Sequence, residues 1–386
     1  MVQFDSKKTN QLQHLPQLDG LRAIAIFLVL LAHFFNINEA NLSVSSPLLG
    51  PILSKLTQFG VEGVTLFFIL SGYLISKILI NNKSSDNYFS SFLMRRVLRI
   101  FPLYYLILFL SFFIFPLFFA VPQEAQPIIQ EQWMLWTYLS NAHFLNISSW
   151  DIDLYPNFGH FWTLSVEEHF YLLWPLLIYF IATNRISLWM WFVFIFSLVS
   201  WFLGQYISFF SWTTLTYASS LAVGGLIAHY ERTDNSNLIK YTKWVQKHAY
   251  LYVFLFLIAV FLPRSFGFLG DFIVHILSII IFSALLLVVI EDKITFLNSQ
   301  ILIFIGKISY GIYVYHAWLR PFFKEPFYEN FIQSYGVENS LLITVAYTLV
   351  SSMISIFIAW VSWELFEKKI LKFKKYFPYS SKKLEV

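Results

Sequence analysis

The chain has 386 residues, of which 58% are hydrophobic and 20% aromatic, whereas only 12% are charged. A soluble domain carries roughly twice that charged fraction, so the composition excludes an ordinary soluble protein and predicts a surface that faces mainly lipid. The absence of cysteine excludes disulfides, thiol nucleophiles and cysteine-bound metals, and the net charge of +4 becomes informative only when it is mapped onto a topology.

Apolar runs recur along the whole chain, and each can cross a hydrocarbon core of about 30 Å as a helix. We predict an all-α, polytopic integral membrane protein with about ten transmembrane helices. The predicted spans are residues 19–36, 60–80, 99–120, 163–182, 187–206, 212–230, 248–263, 270–290, 300–320 and 340–363. They define an N-terminal segment (1–18), a transmembrane domain (19–369) with a long loop at about 121–160, and a basic tail (370–386).

The basic residues set the orientation of these spans. With both termini in the cytoplasm, 22 of the 26 lysines and arginines lie on the cytoplasmic side, as the positive-inside rule requires. The loop at about 121–160 has no Lys or Arg, so we expect it on the outer face. The tail is most simply a cytoplasmic, lipid-facing basic end, and a nucleic-acid role is not expected.

The first span carries Arg22 near its inner end and His33 near its outer end, in LDGLRAIAIFLVLLAHF. Eleven residues of helix place the two side chains on nearly the same face, roughly 16 Å apart along the axis. Ionisable groups inside a membrane are costly, so a functional site is the default interpretation. The alternatives are a helix-end histidine bonded to a carbonyl and an arginine that reaches the headgroups.

The second and third spans add further candidates. GVEGVTLFFILSGYLIS contains Ser71 and Tyr73 among glycines that permit either close helix packing or a broken helix around a cavity. In LMRRVLRIFP, Arg96 and Arg99 share a helix face and can converge on a phosphate or carboxylate at the cytoplasmic boundary. The alternative is a cluster that holds anionic lipid headgroups.

Two later segments carry ionisable residues towards the outer side. GHFWTLSVEEHFYLLWP places Glu167 early in the fourth span, where a carboxylate can orient an imidazole or accept a proton, or can simply belong to an acidic helix start. GKISYGIYVYHAWLR places His316 near the outer end of the ninth span, where a satisfied core histidine is the default. No Gly-rich phosphate loop, GxSxG elbow or HExxH is present, and the histidines have no spacing that predicts a metal site.

The ordered set of these segments, closed by SWELFEKK, resembles the acyltransferase family 3 membrane O-acyltransferases of bacteria over residues 18 to about 369. The resemblance implies an enzyme of the bacterial cytoplasmic membrane that moves an acyl group, usually acetyl, from cytoplasmic acyl-CoA to a hydroxyl of a carbohydrate or lipid-linked glycan on the other face, such as O-antigen or exopolysaccharide. No metal is implied.

Carried over by motif, His33 is the catalytic histidine and Glu167 the glutamate that supports it. Arg22, Arg96 and Arg99 bind the coenzyme A side of the donor, while Ser71, Tyr73 and His316 are candidates for binding substrate. An acyl-histidine intermediate stays open beside direct transfer. The rival interpretations are a secondary transporter or lipid-linked-sugar carrier, and a sensor or assembly protein without catalysis.

Overall fold

The computed structural model describes residues 15–35, 39–141, 155–204, 206, 213–262, 266–291 and 294–380. Parts of the predicted N-terminal segment, outer loop and tail therefore lie outside the described residues, at 1–14, 142–154 and 381–386. The ordered elements within the described ranges are helical and include no strand, which confirms the all-α fold.

The principal helices are α1 (Pro16–Phe35), α2 (Gly63–Asn81), α3 (Tyr88–Phe109), α4 (Trp162–Phe180), α5 (Ile186–Leu203), α6 (Thr214–Thr233), α7 (Asn235–Lys247), α8 (Ala249–Phe261), α9 (Phe268–Glu291), α10 (Gln300–Phe323) and α11 (Ser340–Ser362). Shorter helical turns lie between and after them, at Glu39–Ser45, Leu49–Gln58, Phe59–Glu62, Leu110–Ile114, Phe115–Phe118, Gln123–Ala125, Gln126–Gln130, Trp133–Trp136, Gly159–Phe161, Thr183–Arg185, Thr295–Asn298, Lys324–Glu329, Asn330–Tyr335, Val337–Asn339, Trp363–Glu367, Lys368–Leu371 and Lys372–Tyr376.

Across the described ranges, seven helical segments are long and apolar enough to cross a membrane. An eighth crossing is obtained if α7 and α8, bent by 69° at their junction, form one broken span. Helices α4 and α6 are long enough, at 19 and 20 residues, but they are not among the seven. A multi-pass membrane protein is thus confirmed, while the number ten and the orientation stay predictions.

The third helix differs from its predicted bounds. It begins at Tyr88 rather than at 99 and continues through a π-helical turn to Phe118. Tyr88 and Phe92 are buried against the rest of the bundle, so burial extends the helix beyond the arginines at which the apolar run stops. The sequence had suggested that Arg96 and Arg99 lie at the beginning of this helix. They lie instead within it.

Glycines allow α2 to pack closely against its neighbours. A Cβ added to Gly72 would overlap the carbonyl oxygen of Leu221 on α6, and one added to Gly224 would overlap that of Ile69 on α2. Gly60 faces the backbone of α1 in the same way. The glycine-rich segment therefore serves helix packing, the first of the two alternatives open from the sequence.

Replacing Gly72 with Ala should force α2 away from α6, because the added methyl group meets backbone that cannot rotate aside. Overpacking of this kind costs about 1–3 kcal/mol. We expect a lower melting temperature of the purified protein in detergent. A melting temperature equal to that of the parent would show that the two helices do not need this close approach.

Candidate functional site

A cavity of about 350 Å³ lies between α1, α2, α3, α4, α10 and the turns that follow α11. Five basic side chains line it, namely Arg22, Arg96, Arg99, Lys307 and Lys374, against two carboxylates, Asp19 and Glu167. Fixed positive charge in a confined site of low dielectric favours an anionic ligand. The three arginines predicted to bind the donor are all among the lining residues.

The arginines are held by groups that leave part of each guanidinium available. Arg22 Nη1 pairs with Asp19 Oδ1 at 2.6 Å, and Asp19 is only 3% exposed. Arg99 Nη2 donates to the Lys307 carbonyl at 2.9 Å and lies over the ring of Trp363. Backbone and ring contacts hold a guanidinium in place without neutralising its charge.

Arg96 is held mainly by aromatic rings. Its guanidinium carbon lies 5.7 Å from the ring centre of Phe92 and 5.7 Å from that of Tyr171. Its Nε is buried without a hydrogen-bond partner. A buried N–H group without a hydrogen-bond acceptor is energetically costly, so the Nε–H of Arg96 can still donate to an anion in the cavity.

Glu167 lies on the cavity wall and accepts two hydrogen bonds there. Ser71 Oγ donates to Oε1 at 2.8 Å and Tyr171 Oη donates to Oε2 at 3.0 Å. The sequence suggested that Glu167 supports His33, but its partners are these two hydroxyls. The spacing of Tyr171, four residues after Glu167, was the available sequence signal for this contact.

His33 is not among the cavity residues and belongs instead to a cluster of three imidazoles, the histidine cluster, made with His160 and His316. The ring centres of His33 and His316 are 4.9 Å apart, and those of His160 and His316 are 5.1 Å apart. His33 is half-buried, whereas His316 has no exposed surface. The sequence had singled out His33 and His316 separately and gave no role to His160.

Backbone carbonyls fix the tautomer of each ring in this cluster. His33 Nδ1 lies 2.9 Å from the Val29 oxygen and His316 Nδ1 lies 2.7 Å from the Tyr313 oxygen. A carbonyl only accepts, so these nitrogens carry the protons and Nε2 keeps the lone pair. The Nε2 of His316 is buried without a hydrogen-bond partner, as is Nδ1 of His160. Both are acceptors that an O–H or N–H group could satisfy.

A thin wall separates the cavity from the histidine cluster. Thr163 and Tyr313 both line the cavity, and their hydroxyls are 2.6 Å apart. The Tyr313 ring lies 5.4 Å from the rings of both His160 and His316. One layer of side chains therefore divides the cationic cavity from the imidazoles.

Tyr73 lies elsewhere. Its hydroxyl donates to Glu231 Oε2 at 2.9 Å and accepts from Lys77 Nζ at 2.7 Å, and Lys77 also pairs with Glu231. This arrangement is a self-contained ion-pair network between α2 and α6. Of the substrate-binding candidates, the structure brings Ser71 to the cavity and His316 to the histidine cluster, but it does not bring Tyr73 to either.

Lys374 is a cavity residue that the sequence interpretation missed. It belongs to the basic tail, which had been expected to face lipid, yet its side chain lies with the arginines. No composition signal separates it from the other tail lysines, because the distinction depends on how the chain folds back.

No group of three or more His, Asp or Glu among the described residues is arranged to hold a metal ion.

The helical membrane domain thus combines a cationic cavity with a neighbouring histidine cluster. Residues 15–363 match the model of an acyltransferase domain, Acyl_transf_3. The chain belongs to the acyltransferase 3 family.

Three relatives resemble the chain over part of its length. Peptidoglycan O-acetyltransferase OatA of Listeria monocytogenes serovar 1/2a is 31% identical over 168 residues, which are 42% of this chain and 24% of the relative. YrhL of Bacillus subtilis (strain 168) is 32% identical over 174 residues, covering 44% and 24%. O-acetyltransferase OatA of Staphylococcus aureus (strain NCTC 8325) is 30% identical over 179 residues, covering 44% and 25%. The chain thus spans about a quarter of the length of these relatives, and no solved structure matches it.

The absence of cysteine allows the cavity to be probed with a single thiol. Ser71→Cys should react with small methanethiosulfonates, and the anionic sulfonatoethyl reagent should react roughly tenfold faster than the cationic trimethylammonium reagent because the cavity is positively charged. Ser76→Cys, one turn further along α2 at a side chain with no exposed surface, is the control and should stay unmodified. Equal reactivity of Ser71→Cys with both reagents would contradict a cationic cavity.

Proposed function

We propose that this protein is an O-acetyltransferase of the bacterial cytoplasmic membrane that uses acetyl-CoA from the cytoplasm to acetylate a carbohydrate hydroxyl on the outer face. The observation that carries the proposal is the pairing of a cationic cavity with a histidine cluster across one layer of side chains. Family membership supports acyl transfer, and the O-acetyltransferases among the relatives support acetyl as the group transferred.

The cavity suits the donor by charge. Coenzyme A carries three phosphate groups, and the five basic side chains exceed the two carboxylates there. In this proposal Arg96 and Arg99 bind phosphate oxygens, because Arg96 has an unused buried donor and Arg99 is fixed by a carbonyl and a ring. Arg22, held by Asp19, lies on the same helix as His33 and steers the thioester arm towards it.

The chemistry is direct transfer. His33 Nε2 removes the proton from the acceptor hydroxyl, and the oxygen attacks the thioester carbonyl. The tetrahedral intermediate then expels the CoA thiolate, which takes the proton back from His33. The Val29 carbonyl supports this role because it holds the proton on Nδ1 and so keeps Nε2 basic. Rotation of the Tyr313 side chain would join the cavity to the cluster.

Acceptor binding is assigned to the histidine cluster. The buried acceptor nitrogens of His316 and His160 can each accept a hydrogen bond from a sugar hydroxyl, which would relieve the cost of leaving them unpaired. Peptidoglycan, the acceptor for which the Listeria relative is named, is favoured over O-antigen or exopolysaccharide. Glu167 acts on the donor side of the wall, where it orders Ser71 and Tyr171.

Replacing His33 with Ala should lower acetyl transfer by a factor of about 10²–10⁴, the usual contribution of a general base. The measurement is transfer of radiolabel from acetyl-CoA to surface glycan by membranes that contain equal amounts of protein. His248→Ala is a matched control, because His248 Nδ1 makes the same bond to the carbonyl four residues earlier, that of Trp244, but lies far along the chain at the junction of α7 and α8. Full activity of His33→Ala would refute the assignment.

The same assay can distinguish the contributions of Glu167 and Glu168 to acetyl transfer. Glu167→Gln should lose most of the activity, because an amide cannot accept from both Ser71 and Tyr171 through two charged oxygens. Glu168→Gln should retain it, since Glu168 does not line the cavity. A large loss of activity in Glu168→Gln and none in Glu167→Gln would show that Glu168, and not Glu167, is required for transfer.

A further inference from the structure

The C-terminal strap, residues Lys372–Ser380, folds back along the first half of α3. Asn87, Ser91 and Arg95 follow one another at intervals of four residues and so share one face of that helix. Asn87 Nδ2 and Ser91 Oγ donate to the Pro378 carbonyl at 2.7 and 2.9 Å. Arg95 Nη1 lies 3.4 and 3.3 Å from the carbonyl oxygens of Lys374 and Phe377.

The far end of the strap is fixed as well. The backbone N–H and the hydroxyl of Ser380 donate to Asn87 Oδ1 at 2.9 and 3.0 Å. Apart from that hydroxyl, all these contacts reach the backbone of the strap. They therefore set the course of the strap while leaving its lysine side chains available for other contacts.

Only one of the strap lysines reaches the cavity. Lys374 lines it together with Arg22, Arg96 and Arg99, whereas Lys372 and Lys375 are exposed. No described carboxylate forms an ion pair with Lys374. A strap that is bound through its backbone thus brings one lysine side chain, without an ion-pair partner among the described carboxylates, to the cavity that Arg22, Arg96 and Arg99 line.

We infer that the strap is part of the donor site and that Lys374 binds a phosphate of the acyl donor, so that the C-terminal segment clamps the ligand against α3. This inference rests on the proposed use of acyl-CoA. An ammonium group that has no anionic partner among the described residues and lies beside three guanidinium groups raises local repulsion, which a phosphate ligand relieves. A lipid headgroup phosphate has the same chemistry, so the test must separate the two sources.

The experiment measures binding of coenzyme A itself, by calorimetry, to the purified full-length protein in neutral detergent. Loss of one charge-assisted contact corresponds to about a tenfold change in affinity. We expect Lys374→Gln to weaken binding by about that factor, while the matched variants Lys372→Gln and Lys375→Gln, which change the same charge on the same segment, bind as the parent does. Equal binding by all four proteins would overturn the inference. The melting temperature of each variant checks that the variant is folded.

A second variant tests the clamp through a residue without charge. Asn87→Ala removes bonds at both Pro378 and Ser380 but no cavity side chain, so it should weaken binding of coenzyme A through the loosened strap alone. The Asn87→Ala, Lys374→Gln double variant should bind no more weakly than Lys374→Gln. Additive losses would contradict a strap that acts through Lys374.

Two further outcomes separate this inference from the proposed function. A parent protein that fails to bind coenzyme A would refute the donor, and the clamp with it, whereas a parent that binds while Lys374→Gln binds equally well refutes only the clamp. Phosphatidylglycerol is then added to the micelles. Unchanged coenzyme A affinity supports the donor as the ligand of Lys374, and competition that is lost in Lys374→Gln would assign the site to lipid.

Discussion

The cost of keeping positive charge inside a membrane domain is the constraint on which the site depends. Charged side chains are costly to remove from water, and five basic side chains line one cavity between the helices. The fold offsets part of this with the Asp19 carboxylate, backbone carbonyls and aromatic rings. Because most of these partners are neutral, the cavity keeps an excess of positive charge that a polyanionic ligand can balance.

Helix α1 connects this cavity with the histidine cluster. Arg22 lines the cavity from its first turns, and His33 joins His316 near its last turn. The helix is fixed on both sides by close approaches, since Gly306 of α10 packs on the Asp19 backbone and Gly60 packs on the backbone of Leu28. Such contacts hold Arg22 and His33 at a constant separation, which the proposed transfer from a bound donor to an acceptor activated by His33 would require.

The all-helical class and the presence of Arg22, Arg96 and Arg99 at one cavity could be predicted from the sequence, because apolar runs and charges within them have simple physical meanings. Arg22, Arg96 and Arg99 do meet. The true start of α3 at Tyr88 could not be predicted, since it depends on tertiary burial and not on hydropathy. The Ser71–Glu167 bond, the Tyr73–Glu231 bond and the return of Lys374 to the cavity join residues distant in sequence, so no local pattern encodes them.

The central claim is that one domain binds its donor on the cytoplasmic side and delivers the acyl group to the other. Sided vesicles test it directly. Inverted membrane vesicles receive radiolabelled acetyl-CoA outside, at the face predicted to be cytoplasmic, with glycan acceptor enclosed in the lumen. The account predicts label on the enclosed glycan that depends on the protein and is absent when acetyl-CoA is supplied only in the lumen. Label that appears only on acceptor added to the same side as acetyl-CoA would contradict it.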